Sequence, residues 1–144
     1  MPQLQKRFVR VVFKSQKNQG TCRTINTLYK YAKGKYIYQI ASDDMSKPDA
    51  ITKQVNFLEN NSDYALVVGD NEIIDSDGKV CYWDKQRNNV YDEQSAEYKT
   101  FGDFLQKSRK DVDFNRYDFG TYISLVKGNY IPNGYLFKKS ILDK

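Results

Sequence analysis

Histidine is absent from this chain, which excludes a His-based catalytic triad or a His-ligated zinc site within these residues. Cysteine is scarce. Cys22 and Cys81 show neither metal-ligand spacing nor a disulfide framework, and two free thiols fit a reducing compartment. No apolar run is long enough to span a bilayer, and residues 1–7 are polar and basic, without the apolar core of a signal peptide. There is no internal repeat, and no linker divides the chain.

What is present describes a folded domain rich in aromatics. The 144 residues are 40% hydrophobic and 28% charged, enough for one domain with a core and unlike a disordered chain. Twelve tyrosines and eight phenylalanines supply most of the large side chains. The net charge of +5 admits an anionic partner, whether nucleic acid, a phosphorylated ligand or an anionic membrane face, without choosing among them.

Periodicity divides the chain into alternating elements. Residues 8–13 (Phe-Val-Arg-Val-Val-Phe) read as a strand, and residues 15–20 as a loop. A helix is expected over residues 21–33, with Cys22, Ile25, Leu28, Tyr29 and Ala32 on one face and Gly34 as its stop. Residues 36–41 form a buried strand that ends at Asp43 and Asp44. Ser46 and Asp49 resemble a capping box for a helix near residues 48–59, with Ile51, Val55 and Leu58 on one face. Residues 64–69 read as a third buried strand, so the order strand, helix, strand, helix, strand predicts an α/β fold with three adjacent parallel strands. Beyond it, Ile73-Ile74 and residues 79–83 flank an Asp-Gly turn as in a hairpin. Residues 84–98 read as a loop, and residues 101–105 as a short helix. Residues 117–126 have helical spacing, and residues 134–137 form a last short strand.

Acids at the carboxyl end of a parallel strand sit where open α/β sheets bind ligands. Taken alone, Asp43-Asp44 reads as a polar turn, where Asp is common for local hydrogen bonding. The upstream spacing changes that balance toward ligand binding. Asn18-x-Gly20, Asn26 in the next helix, Ala32-Lys-Gly34-Lys-Tyr-Ile37, Ser42-Asp-Asp44 and Pro48 form an ordered set. This set resembles the nucleotide-sugar-binding core of the family 2 glycosyltransferases, which have a GT-A fold. The later segment Asn129-Tyr-Ile-Pro-Asn-Gly134-Tyr-Leu-Phe-Lys-Lys-Ser140 also resembles that family.

The resemblance implies a partial GT-A, Rossmann-like domain with a mostly parallel central sheet flanked by helices. Residues 1–83 would form the nucleotide-sugar-binding core and residues 84–144 the acceptor side of a single domain. It implies Asn18, Gly20, Asn26, Ser42, Asp43 and Asp44 as nucleotide-sugar-binding residues, with Asp43 and Asp44 holding Mn²⁺ or Mg²⁺. The family often has Asp where Ala41 stands, and Arg where Ile25 stands, so metal binding here rests on Asp43 and Asp44. The family also has a preceding unit that contacts the nucleobase, and a catalytic base beyond the last residue here. An internal fragment, inactive alone and without an assignable base, is therefore expected.

The activity implied is inverting transfer from a nucleoside-diphosphate sugar to an acceptor glycan or lipid-linked saccharide. The expected setting is bacterial surface polysaccharide synthesis, in the cytoplasm or at the inner membrane face. Peripheral membrane association and self-association through an exposed sheet edge go with that expectation, and a nucleic-acid partner does not. The alternative is a basic, aromatic-rich nucleic-acid-binding domain, suggested by Tyr29, Tyr31, Tyr36 and Tyr38 interleaved with Lys30, Lys33 and Lys35. Local readings also stand for several candidates. Asn18 and Gly20 suit a loop, Asn26 an exposed helix position, and Asp75, Asp77 and Gly78 a hairpin turn rather than a calcium loop.

Overall fold

The computed structural model describes residues 11–109, 112–127 and 131–143. Helix α1 (Thr21–Tyr29) starts after Gly20, whose φ of 81° lies in the left-handed region that favours glycine. Its end tightens into i→i+3 bonds, with the Tyr31 and Ala32 N–H groups donating to the Leu28 and Tyr29 carbonyls. The helix therefore closes at Lys30, before the expected residue 33, and Gly34 is not its cap. None of its residues is fully buried. Tyr29 is its main tie to the sheet: it packs edge-on against Phe137 and donates its hydroxyl proton to Gln39.

Strand β1 (Tyr36–Gln39) leads through a turn at Ala41–Asp44 to helix α2 (Ala50–Asn60). Asp49 occupies the N-cap position without a side-chain cap bond and pairs with Lys53 at 2.6 Å instead. The expected capping box is absent: the helix begins only at Ala50 with Asp49 at its N-cap, and Ser46 lies before it, accepting a hydrogen bond from the Tyr38 hydroxyl at 3.1 Å. Helix α2 buries Gln54 and Leu58, the latter only 1% exposed, while Ile51 stays exposed.

Three short strands follow: β2 (Leu66–Val67), β3 (Ile73–Ile74) and β4 (Val80–Trp83), then β5 (Asn89–Val90). The segment expected to be a plain loop thus holds β5, a 3₁₀ turn (Glu93–Ser95) and a bridge from Trp83 to Tyr98. Helix α3 (Phe101–Ser108) is capped by Thr100, whose Oγ1 accepts the Asp103 N–H at 3.1 Å. Helix α4 (Tyr122–Lys127), β6 (Tyr135–Lys138) and a 3₁₀ turn (Lys139–Asp143) complete the described chain.

The sheet topology corrects the sequence expectation. Strands β1, β6 and β2 form one sheet in that order, and β6 is antiparallel to both neighbours. The mostly parallel central sheet is therefore not found. Strands β1 and β2 do run in one direction, but they are separated by β6. Residues 8–10 of the first expected strand lie outside the described residues, and residues 11–13 form no strand. The physical reason is burial. Leu136 and Phe137 are 2% and 3% exposed, whereas the residues of β1 and β2 are all partly exposed, so the central position buries the apolar pair of β6 best. A late, isolated apolar run carries no local sign of the pair between which it inserts.

The second sheet, β3-β4-β5, is antiparallel, and its β3–β4 hairpin has the expected Asp-Gly turn. Asp75 organises that turn. Its Oδ1 accepts the Asp77 and Lys79 N–H groups, both at 2.9 Å, and its Oδ2 accepts the Tyr91 hydroxyl at 2.7 Å. A second apolar cluster lies under α3, where Leu105 and Val112 pack with Phe101, Phe104, Phe114 and Phe119. Both cysteines are unpaired, Cys22 exposed and Cys81 buried.

Two outcomes follow from this packing. Leu136→Ala removes a fully buried side chain between two strands, and chemical denaturation should show a loss of about 2–5 kcal/mol. The second concerns acid. The Tyr91 hydroxyl, and after it the backbone N–H groups of Lys79 and Asp77, hold the Asp75 carboxyl below its ordinary value. A folded value below the unfolded one contributes stability above the ordinary carboxylate range, and that contribution is lost as pH falls through the folded value. The hairpin should thus loosen below about pH 4. Asp75→Asn should flatten part of the acid limb in thermal melts taken across pH.

Candidate functional site

The shared direction of β1 and β2 brings their carboxyl ends to the same edge of the sheet, where antiparallel β6 begins. A cleft of about 610 Å³ opens at that edge. The segment after β1 supplies Asp43 and Asp44, the segment after β2 supplies Asn71 and Glu72, and the segment before β6 supplies Ile131, Pro132 and Asn133. The hairpin adds Ile73, Ile74, Asp75, Ser76 and Trp83, and α3 adds Phe101 and Leu105. Its size suits a small ligand.

Four carboxylates line this cleft, and they differ in what they hold. Asp75 is saturated by two backbone N–H groups and the Tyr91 hydroxyl. Glu72 accepts the Lys47 ammonium at 2.5 Å. Asp43 and Asp44 are exposed, and among the described residues neither carboxylate has a hydrogen-bond or ion-pair partner. These two acids are therefore the pair left over for a ligand.

The loop that carries them is tied down on three sides. The Asp44 N–H donates to the Ala41 carbonyl at 3.3 Å, closing the turn. The Lys47–Glu72 pair fastens the loop to β3, although both side chains are half exposed and such a pair is worth little more than about 1 kcal/mol. Met45 lies against the hairpin turn, and a Cβ at Gly78 would come within 3.0 Å of its Cε. Just outside the cleft, Asp70 accepts the Gly102 N–H at 2.8 Å and the Thr100 hydroxyl at 2.6 Å, joining the exit of β2 to the start of α3.

A divalent cation is the group that the sequence resemblance implies at Asp43 and Asp44. Among the described residues, no group of three or more His, Cys, Asp or Glu side chains is placed to cage a metal by itself. Magnesium, however, is commonly held by one or two carboxylates with substrate phosphates completing its shell. Two adjacent, unengaged carboxylates in an open cleft fit that donor set.

The other sequence candidates lie elsewhere. Asn18, Gly20, Asn26 and Ser42 are not among the residues lining this cleft. The Asn18 carboxamide accepts the Gly20 N–H at 3.0 Å, a local turn that accounts for both residues without a ligand. Asn26 and Ser42 are exposed. Lys35 pairs with Glu59 at 2.7 Å rather than standing open to a phosphate. Sequence reasoning missed Asn71, Glu72, Trp83 and Asn133. The stretch Asp70-Asn71-Glu72 follows an apolar strand just as Asp43-Asp44 does, so the same strand-end logic points to it.

Comparison with known proteins identifies the family. Residues 2–123 match the family described as Glycosyl transferase family 2. An uncharacterized glycosyltransferase of Methanocaldococcus jannaschii is 33% identical over 72 residues, covering 49% of this chain and 25% of the relative. A chondroitin synthase of Escherichia coli is 37% identical over 71 residues, covering 49% of this chain and 10% of the relative. The matched parts are thus a quarter or less of those proteins. No solved structure matches. Among the described residues no helix is long and apolar enough to cross a membrane. With most of its length matching one family and two glycosyltransferase relatives sharing half of it, the chain belongs to glycosyl transferase family 2.

Proposed function

We propose that this chain forms the donor-binding part of a glycosyltransferase, in which Asp43 and Asp44 hold Mg²⁺ or Mn²⁺ against the diphosphate of a nucleoside-diphosphate sugar. The observation that carries the reading is that, of the four carboxylates described in the cleft, only these two have no partner among the described residues. When bound, the cation would neutralise the charge that builds on the departing diphosphate. The chain's own contribution is placement. The Ala41–Asp44 turn and the Lys47–Glu72 pair hold the two carboxylates at the cleft, and Lys47 keeps Glu72 from adding a third open charge.

In this reading Asn18, Gly20, Asn26 and Ser42 flank the nucleotide-sugar side within residues 1–83, and residues 84–144 face the acceptor. The cleft draws lining residues from both stretches, which supports joining them in one domain. The acceptor is a glycan or a lipid-linked saccharide. The relative named chondroitin synthase supports a saccharide acceptor. The family resemblance supports inversion at the sugar carbon and a place in surface polysaccharide synthesis at the cytoplasmic side of the membrane. Strand β1 is an edge of its sheet among the described residues, and self-association would use that edge.

Calorimetric titration of UDP, GDP and dTDP with and without Mg²⁺ or Mn²⁺ tests the assignment. Asp43→Asn and Asp44→Asn are isosteric changes at exposed positions, so the fold should be retained. Each should lower the metal-dependent gain in affinity by about tenfold or more, the scale of losing one charged ligand contact. An unchanged gain in both variants would refute it.

A further inference from the structure

Trp83 is the only tryptophan of the chain, and its backbone is held firmly. It pairs with Asn89 across β4 and β5, its N–H donates to the Tyr98 carbonyl, and its own carbonyl accepts the Glu97 and Tyr98 N–H groups, all three bonds at 2.9 Å. Its ring meets Phe104 at a right angle, with centroids 5.6 Å apart. The side chain also lines the cleft that contains Asp43 and Asp44. The ring is only partly buried, and among the described residues its indole N–H has no protein partner, so that donor is left to solvent or to a ligand.

The surroundings narrow what that donor could meet. Phe101, Ile131 and Pro132 add apolar surface beside Trp83, and Asn71 and Asn133 add carboxamides. The Asn71 Nδ2 already donates to the Asn133 carbonyl at 3.1 Å, which fixes those two segments to each other. Among the described residues that line the cleft none is cationic, so a phosphate would find no charge partner on this wall. A sugar ring, in contrast, has an apolar C–H face and a rim of hydroxyls that both donate and accept. A rigid aromatic surface with one open N–H, bordered by amides, complements that surface.

We propose that Trp83 forms a saccharide-binding wall of the cleft, stacking on a sugar ring while its indole N–H donates to a ring or hydroxyl oxygen. This rests on the glycosyltransferase reading above. It extends that reading by placing the sugar against Trp83, with the diphosphate at Asp43 and Asp44.

Because the chain has one tryptophan, its fluorescence, excited where tyrosine does not absorb, reports this wall directly. The 144-residue protein is titrated in Mg²⁺ with UDP, GDP and dTDP, with the glucose and N-acetylglucosamine esters of each, and with cellobiose and chitobiose, with calorimetry run in parallel. An emission change with a nucleotide sugar that exceeds the change with its nucleotide supports the proposal and assigns the wall to the donor sugar. A change with a free disaccharide supports it and assigns the wall to the acceptor. Trp83→Phe, which keeps a ring against Phe104 but removes the N–H, should weaken the effective saccharide about tenfold relative to nucleotide, the scale of one lost hydrogen bond to a ligand. Equal emission changes for nucleotide and nucleotide sugar, with none from disaccharide, would mean a stacked nucleobase and overturn the saccharide wall. Calorimetric binding of a nucleotide sugar with silent Trp83 emission would overturn the wall while leaving the cation reading intact. No binding of any nucleotide or nucleotide sugar would overturn the cation reading, and the wall with it where no disaccharide changes the emission.

Discussion

The pairing of β6 with strands on both its sides is the constraint from which the rest of the structure follows. Because β6 is antiparallel to β1 and to β2, those two strands point the same way and end at the same edge. The segments leaving them, and the segment entering β6, therefore converge without a long excursion by any of them. The pairing is reinforced at that edge. The Gly134 N–H donates to the Gln39 carbonyl at 2.9 Å, and the buried Gln54 of α2 donates to the Gly134 carbonyl at 2.8 Å. Gly134 itself has a φ of 79°, and a Cβ there would come 3.2 Å from the Tyr38 hydroxyl, so glycine suits this corner on both counts. The cleft is thus a consequence of sheet topology, and its side chains follow from which residues lie just outside the strands.

In and beside the cleft, protein hydrogen bonding sorts chemically similar groups into different tasks. Asp75 and Asp70 spend their oxygens on backbone N–H groups and hydroxyls, and so they shape turns and helix ends. Glu72 is committed to Lys47. Asp43 and Asp44 sit on a turn closed by a backbone bond, and among the described residues both carboxylates are open. Composition does not reveal this difference, because every one of these residues counts equally as an acid near a strand end.

The parts of the structure most legible in the sequence were those governed by local periodicity. The β1 run, the two helices that flank it, the Asp-Gly hairpin and the short helix at Phe101 all announce themselves within a window of about ten residues. The place of Asp43 and Asp44 at the end of an apolar strand was legible in the same way, whereas their reading as ligand-binding residues came from the upstream spacing that resembles the family. What the residues could not show was pairing at long range. The run around Leu136 and Phe137 reads only as a short apolar strand, and nothing near it tells that it lies between two strands from much earlier in the chain. The capping box at Ser46 failed for a related reason. The helix begins only at Ala50, and the serine before it meets Tyr38, which a local pattern does not register. Trp83 gave no site signal either, because a lone aromatic in a strand reads as packing until the cleft beside it is seen.

The position of β6 in the chain also sets a sequence of events during synthesis. Strands β1 and β2 emerge early and cannot pair with one another in the native sheet, because the strand that belongs between them starts only at Tyr135. Until it is made, both present unpaired N–H and C=O groups along edges that will later be internal, the condition under which partly made chains pair wrongly. The second sheet faces no such wait, since β3, β4 and β5 follow one another and join through short turns. The hairpin and its tyrosine clasp at Asp75 can therefore form while the ribosome is still adding residues. The first sheet closes last, so the edge that builds the cleft becomes complete only as translation passes β6.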